Sequence, residues 1–463
     1  MRPIRRIAAA AVLILAACTT VGPDYKRPAI ELPAQYPAPA SAGAAMIAPQ
    51  WWSLYGDKTL DELIAAAQKS NADMRLAAAR VQEAEGVLRE ARAAFWPDVT
   101  ASYTAGRSRV SGTSVPAPPP GSIIRPSHQL VASTSFELDF WGRFARAGEA
   151  AQANLLASRL GRDVVGLTLA GGTAQAYFGL RSLDAQIAVL DSSIKVRRDS
   201  LAIARARLEA GLASELDVHQ AQGALSDALV QRRDAERNRA LIERQLAQLT
   251  GRLDLRLAGG DLFKLPMPPV PPAGLPSALL ERRPDIVAAE ETLIAANAQI
   301  GVARAALFPS LSLTASAGQQ SAELSDLFKT NATVWSLTAG IVAPIFDAGR
   351  REARVEQATA RREQAVANYQ RAIEAGFREV SDALVNVQQT SEAETDLSER
   401  LQAARNALEL STIRYESGYS PYLEVLDAQR TANDAELAFV RNRQSRLAFS
   451  VDLMKALGGG WKN

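Results

Sequence analysis

The chain is written twice, and that constrains it more than any other feature. Residues 71–106, NADMRLAAARVQEAEGVLREARAAFWPDVTASYTAG, align without gaps to residues 283–318, RPDIVAAEETLIAANAQIGVARAALFPSLSLTASAG, placing Asp73, Pro97 and Gly106 over Asp285, Pro309 and Gly318 at an offset of 212. Further on, Gly142-Arg143, Gly211 and Gly251 fall over Gly349-Arg350, Gly418 and Gly458 at an offset of 207. The first copy therefore carries an insertion in the stretch SGTSVPAPPPGSIIRPSHQ, whose Pro, Gly and Ser content is that of a loop. A period this long is not that of a short solenoid repeat.

Each copy changes hydrophobic period twice. Leu130, Thr134, Phe136, Leu138 and Phe140 share one parity while Ser133, Ser135, Glu137 and Asp139 share the other, which predicts a strand with one apolar face. With the alternation after Pro97 this gives a β-hairpin over about 97–142. The second copy gives one over about 309–347, with Leu311, Leu313, Ala315 and Ala317, then Trp335, Leu337, Ala339 and Ile341. Four strands cannot close a membrane barrel within one chain, because such barrels need about eight or more.

Long helices follow each hairpin. Leu180, Leu183, Ile187, Leu190, Ile194, Arg197, Leu201, Ala204 and Leu208 keep a 3-4 spacing, and Val387, Leu397, Leu401, Ala404, Leu408 and Tyr415 repeat that register. Helices of roughly 65 residues would run about 95–100 Å, far beyond what a globular core requires. The chain turns at Gly211 and Gly418 and returns helically, giving long helical hairpins over about 143–251 and 349–457. The expected organisation is a signal peptide over 1–17, an extended N-terminal segment over 18–56, a first repeat over 57–264 and a Pro-rich linker over 265–282. A second repeat over 283–458 and a tail over 459–463 complete it. A short helix is expected after Asp57 or Thr59.

The two turns carry the densest signal. GLASELDVHQAQ (211–222) and GYSPYLEVLDAQR (418–430) share their Gly, Leu and acidic positions. In the second, Ser420 can cap a helix that Pro421 opens, and Glu424 and Asp427 follow on its first turns. Leu423, Asp427 and Arg430 stand four and three apart, on one helix face. The spacing alone also allows a plainer arrangement, Glu424 serving the helix N-terminus and Asp427 pairing with Arg430 in solvent. The first copy has Asp217 in place of Glu424 but Gln220 in place of Asp427.

MRPIRRIAAAAVLILAAC has arginines, a short apolar run and small residues, the layout of a cleaved secretory signal, and the run is too short to span a bilayer. Cys18 is the only cysteine, so no intramolecular disulfide is available. The formal charge of +2 becomes −1 without the three arginines of residues 1–17, which argues against a nucleic-acid partner. With only His128 and His219 there is no His-rich metal cluster, no Ser-His-Asp elbow and no phosphate-binding glycine loop, so no enzyme, metal or cofactor is expected. Glu290-Glu291 reads as an exposed helix face.

The segments LAACTTVGPDYKRP, FWPDVTASY, LDFWGR, RRPDI, LFPSLSLTAS, PIFDAGR, RYESGYSPYLEVLDAQR and ALGGGW, in this order, resemble the TolC/OprM-type outer-membrane factors of tripartite efflux pumps, and the resemblance covers nearly all of residues 18–463. The resemblance implies a mixed α and β fold in a homotrimer: a 12-stranded transmembrane β-barrel, four strands per protomer, continued by a long periplasmic α-helical barrel with an equatorial region. It implies acylation of Cys18 in a bacterial lipobox, with Thr19 directing the lipoprotein to the outer membrane. It further implies a passive exit duct for drugs and a role in antibiotic resistance, with a periplasmic membrane-fusion adaptor and an inner-membrane RND-type transporter as partners. An iris-like periplasmic gate would fall at Leu423, Glu424, Asp427 and Arg430 with Tyr415, and a weaker counterpart at Leu216, Asp217 and Gln220. The alternatives are a duct for type I protein secretion and a lipid-anchored coiled coil without a pore.

Overall fold

The computed structural model describes residues 20–33, 36, 49–113, 123–270 and 279–460. Its helices are α1 (Lys58–Ser70), α2 (Ala72–Ala93), α3 (Arg143–Glu209), α4 (Glu215–Thr250), α5 (Leu279–Arg282), α6 (Pro284–Ala305), α7 (Arg350–Glu416) and α8 (Tyr422–Ala456). Its strands are β1 (Asp98–Arg109), β2 (Ile124–Leu138), β3 (Ser310–Ser321) and β4 (Thr333–Val342). Both repeats thus show a strand pair followed by a long helix, a tight turn and a returning helix. α3 and α7 are each 67 residues long, about 100 Å at 1.5 Å per residue. Among the described residues no helix is long and apolar enough to cross a membrane.

The chain forms two compact units, each drawing on both repeats: one from residues 1–29, 81–158 and 289–369, the other from 30–80, 159–288 and 370–463. The first holds one antiparallel sheet in the order β1-β2-β3-β4, so the two hairpins join through β2 and β3. The register Tyr103↔Leu130, Phe136↔Leu313 and Leu313↔Ala339 lines up the apolar parities across all four strands. On that face Trp335, Leu337 and Ile341 are 73–77% exposed. The opposite face is rich in hydroxyls, including bonded pairs Thr100–Ser133 and Ser316–Ser336 at 3.0 and 2.8 Å. Among the described residues β1 and β4 each pair with a single neighbour, leaving two open edges.

In the same unit an N-terminal strap is fastened to α3 and α6. Val21 donates its amide to the Trp141 carbonyl at 3.0 Å, Arg146 binds Asp24 at 2.7 Å, and Asn297 donates to the Pro23 carbonyl at 2.8 Å. Gly22 presses on Gly301 so closely that a Cβ would lie 2.5 Å from the latter's Cα. Arg27 forks onto Glu290 at 2.7 and 2.8 Å, and the Tyr25 hydroxyl donates to the same carboxylate at 2.9 Å. Glu290 is therefore buried and ion-paired, correcting its reading as an exposed helix face. Its partner is 263 residues away in sequence, beyond the reach of any helix-face argument.

The second unit's core gathers Trp51, Tyr55, Leu60, Ile64, Tyr177 and Phe178, all fully buried. Asp57 caps α1, accepting from the amides of Thr59 and Leu60, and also accepts from the Tyr177 hydroxyl at 2.6 Å. The seam read from the sequence is the one that packs: Ile194, Leu201 and Ala204 of α3 meet Ala221, Leu225 and Ala228 of α4. Residues 265–270 of the Pro-rich linker carry no regular structure, and 271–278 lie outside the described residues.

Candidate functional site

The second unit ends in two helical turns. At the first, Gly211 takes φ +72°, and amides of Gly211 and Leu212 bond the carbonyls of Leu208 and Arg207. At the second, Gly418 takes φ +80°, and amides of Gly418 and Tyr419 bond the carbonyls of Tyr415 and Arg414. Both are Schellman-type helix ends, where a residue without Cβ adopts the left-handed conformation without strain.

The helices that follow start differently. Ser214 caps α4 in a capping box, its hydroxyl accepting from the Asp217 amide while the Asp217 carboxylate accepts from the Ser214 amide. Asp217 is thus engaged in holding the first tip together. Pro421, expected at the first helical position of α8, is instead its N-cap, and no side chain caps that helix. Ser420, expected to cap, is buried and its hydroxyl has no partner among the described residues. The proline ring fixes the entry angle of the chain, which leaves the serine one position too early for capping.

Tyr415 and Tyr422 are buried, their rings 5.4 Å apart, against Ala221, Leu225 and Val425. Arg207 covers Tyr415, its guanidinium 4.7 Å from the ring centre and donating to the Tyr415 carbonyl at 2.6 Å. Burial, ahead of the opposing Arg207 charge, raises the pKa of the Tyr415 hydroxyl. Arg414 holds the same place in the second repeat that Arg207 holds in the first, but it reaches Glu424 at 3.5 Å. Asp427 and Arg430 pair at 2.8 Å on an exposed face, while Leu423 and Leu216 are 59% and 62% exposed.

One cavity brings some of the predicted residues of the two repeats together, while Leu216, Asp217, Glu424 and Tyr415 do not line it. Gln220 and Asp227 of α4 line it with Leu423, Asp427 and Arg430 of α8, and Arg197 of α3 contributes from the seam. Sequence reading placed Arg197 on that seam but missed that a charge there is buried. The available signal was a cation in an otherwise apolar heptad series. Cys18 lies outside the described residues. His219 is exposed and His128 shares a 2.9 Å hydrogen bond with the Tyr103 hydroxyl. Among the described residues no His, Cys, Asp and Glu cluster could hold a metal ion.

Paired strand hairpins with an exposed apolar face, joined to helical hairpins of this length, define an outer-membrane channel component. Solved structures share the whole architecture: the Neisseria gonorrhoeae MtrE outer membrane channel in its open state superposes with TM-score 0.87 at 31% identity, covering 96% of this chain and 98% of that one. A CusC structure superposes with TM-score 0.86 at 30% identity, covering 96% and 100%. The family model for outer membrane efflux proteins matches residues 63–252 and 275–459, and the chain belongs to that family. The chain is also similar to the outer membrane protein OprJ of Pseudomonas aeruginosa, 36% identical with 97% of this chain and 94% of that one covered. It resembles the toluene efflux pump outer membrane protein TtgI of Pseudomonas putida at 34%, covering 97% of each, and the cation efflux system protein CusC of Escherichia coli at 32% over the full length of both. This is an outer-membrane efflux channel protein, and its family is not one of enzymes.

Proposed function

We propose that three copies of this chain pool their sheets into one 12-stranded barrel, continued by their long helices as a periplasmic tube, and that the assembly is a passive exit duct for drugs and similar small molecules. The observation that carries this is the four-stranded sheet with two open edges and one exposed apolar face. Unpaired backbone edges are not tolerated in lipid, and closure by pooling satisfies them. A coiled coil without a pore leaves that apolar face without a purpose. The duct receives cargo from an inner-membrane RND-type transporter through a periplasmic adaptor, acyl chains on Cys18 anchor its N-terminus, and the tips beginning at Gly211 and Gly418 close it when idle. The names of TtgI, of a toluene efflux pump, and CusC, of a cation efflux system, support a duct whose selectivity lies in its partners. Native mass measurement in mild detergent, with single-channel recording of the same sample, tests the reading. Three chains per conducting particle are expected; a single chain that inserts and conducts would overturn it.

A further inference from the structure

Two departures from the internal repeat meet at the tip cavity. At the 207-residue offset Arg197 of the first repeat falls over Ala404, and Gln220 falls over Asp427 of the second. Ala404 is buried on its seam, an ordinary residue for that position. The first repeat therefore supplies a cation, and the second an anion, where the other copy has neither, and both line the same cavity.

Arg197 is 5% exposed. One of its terminal nitrogens donates to the Ala224 carbonyl, its Nε has no partner, and no carboxylate among the described residues forms an ion pair with it. Burial lowers its pKa below the usual arginine range, while Asp227, Tyr422 and Asp434 oppose that from a distance. A buried guanidinium without a counter-ion is unfavourable, and a fold that only needed packing there would do better with an apolar side chain. In the same cavity lining, Asp427 is held among the described residues only by Arg430 of its own helix, with both side chains more than 60% exposed. Such a solvated pair is weak and readily exchanged.

We infer that Asp427 exchanges between two guanidiniums: Arg430 in the arrangement seen, and Arg197 at the cavity floor in the conducting state of the tip. In the second pairing the carboxylate is drawn into the cavity and the buried cation gains its counter-ion. Arg197 is then a positioning residue that stores an unmet charge in one state and releases it in the other. The inference rests on the duct reading above.

The test compares Arg197→Met, Arg197→Lys, Asp427→Asn and the double variant Arg197→Met/Asp427→Asn in the full-length protein. Trimer yield should be unchanged, since methionine fills the seam without a buried charge. Occupancy of the large-conductance level should fall roughly tenfold in Arg197→Met, the scale of one lost charge-assisted hydrogen bond. It should fall by the same factor in Asp427→Asn and no further in the double variant, with Arg197→Lys between parent and Met. Parent-like or greater opening of Arg197→Met, or effects that multiply in the double variant, would overturn the exchange. A second arm does not depend on conductance and keeps both charges: Gly223→Cys/Leu423→Cys, on α4 and α8 at the same cavity, is treated with a short bis-methanethiosulfonate in cells with and without transporter and adaptor. Bridging that increases several-fold with the running pump supports the exchange, and bridging in neither condition refutes it. A double-cysteine protein that bridges with the running pump while the parent never conducts refutes the duct reading alone.

Discussion

Replacing Arg27 with alanine should release the N-terminal strap, and the size of the effect follows from the burial of its partner. The Glu290 side chain is 7% exposed and would keep only the Tyr25 hydroxyl, whereas Arg27 is 48% exposed. Removing one member of a fully buried ion pair costs about 3–5 kcal/mol; because water already reaches half of Arg27, about 2–3 kcal/mol is expected here. The reporter is the Val21 amide, bonded to the Trp141 carbonyl at 3.0 Å within the same strap. Its hydrogen exchange, read by mass spectrometry on strap peptides, should accelerate by about 30- to 160-fold if local opening governs exchange. Glu290→Gln alone should cost about 1 kcal/mol, since Arg27 then turns to solvent and the amide keeps the shape of the site. The double variant Arg27→Ala/Glu290→Gln should exchange more slowly than Arg27→Ala, because the stranded charge is gone. Equal exchange in Arg27→Ala and the double variant, or faster exchange in Glu290→Gln than in Arg27→Ala, would refute the reasoning.

Tyr177 is pushed up to about 12 by burial and by its bond to Asp57, so its contribution is fully present below the unfolded value near 10 and is lost as pH rises from about 10 to about 12. Helix content followed by circular dichroism should fall over that window in the parent, with this part of the loss absent in Tyr177→Phe. Asp427→Ala/Arg430→Ala should change stability by less than about 1 kcal/mol, because the pair is solvated, yet alter single-channel conductance more than substitution of Gln220 does; the reverse order would move the closure to the first tip. Cys18→Ser should abolish labelled-palmitate incorporation while trimers still form, since the proposed barrel would hold the membrane without acyl chains; undiminished labelling would remove Cys18 as the acylation site.

The repeat, the strand parity and the helix lengths were legible before folding is considered, because each is a periodic property of neighbouring residues. The alternation over Leu130–Leu138 and the 3-4 seam through Leu190, Ile194 and Leu201 both appear in the structure at the positions read. The turns at Gly211 and Gly418 were legible for a similar reason, since a left-handed helix end asks for glycine within a few residues of the last apolar position. Features that depend on distant partners or small shifts of the chain emerged only from its folding. Glu290 looked like a solvated acid until Arg27 and Tyr25 closed on it from more than 260 residues away. Ser420 and Pro421 looked like cap and first helical residue, and a one-position shift left the serine without a role in capping. Arg207 and Arg414 occupy matching places, yet one covers Tyr415 and the other meets Glu424, because the residues packed around each differ. The heptad pattern put Arg197 on the seam, but only the packing of α3, α4 and α8 buried its charge in the lining of the cavity that Asp427 shares, because electrostatic free energy depends on burial and on partners brought together by folding.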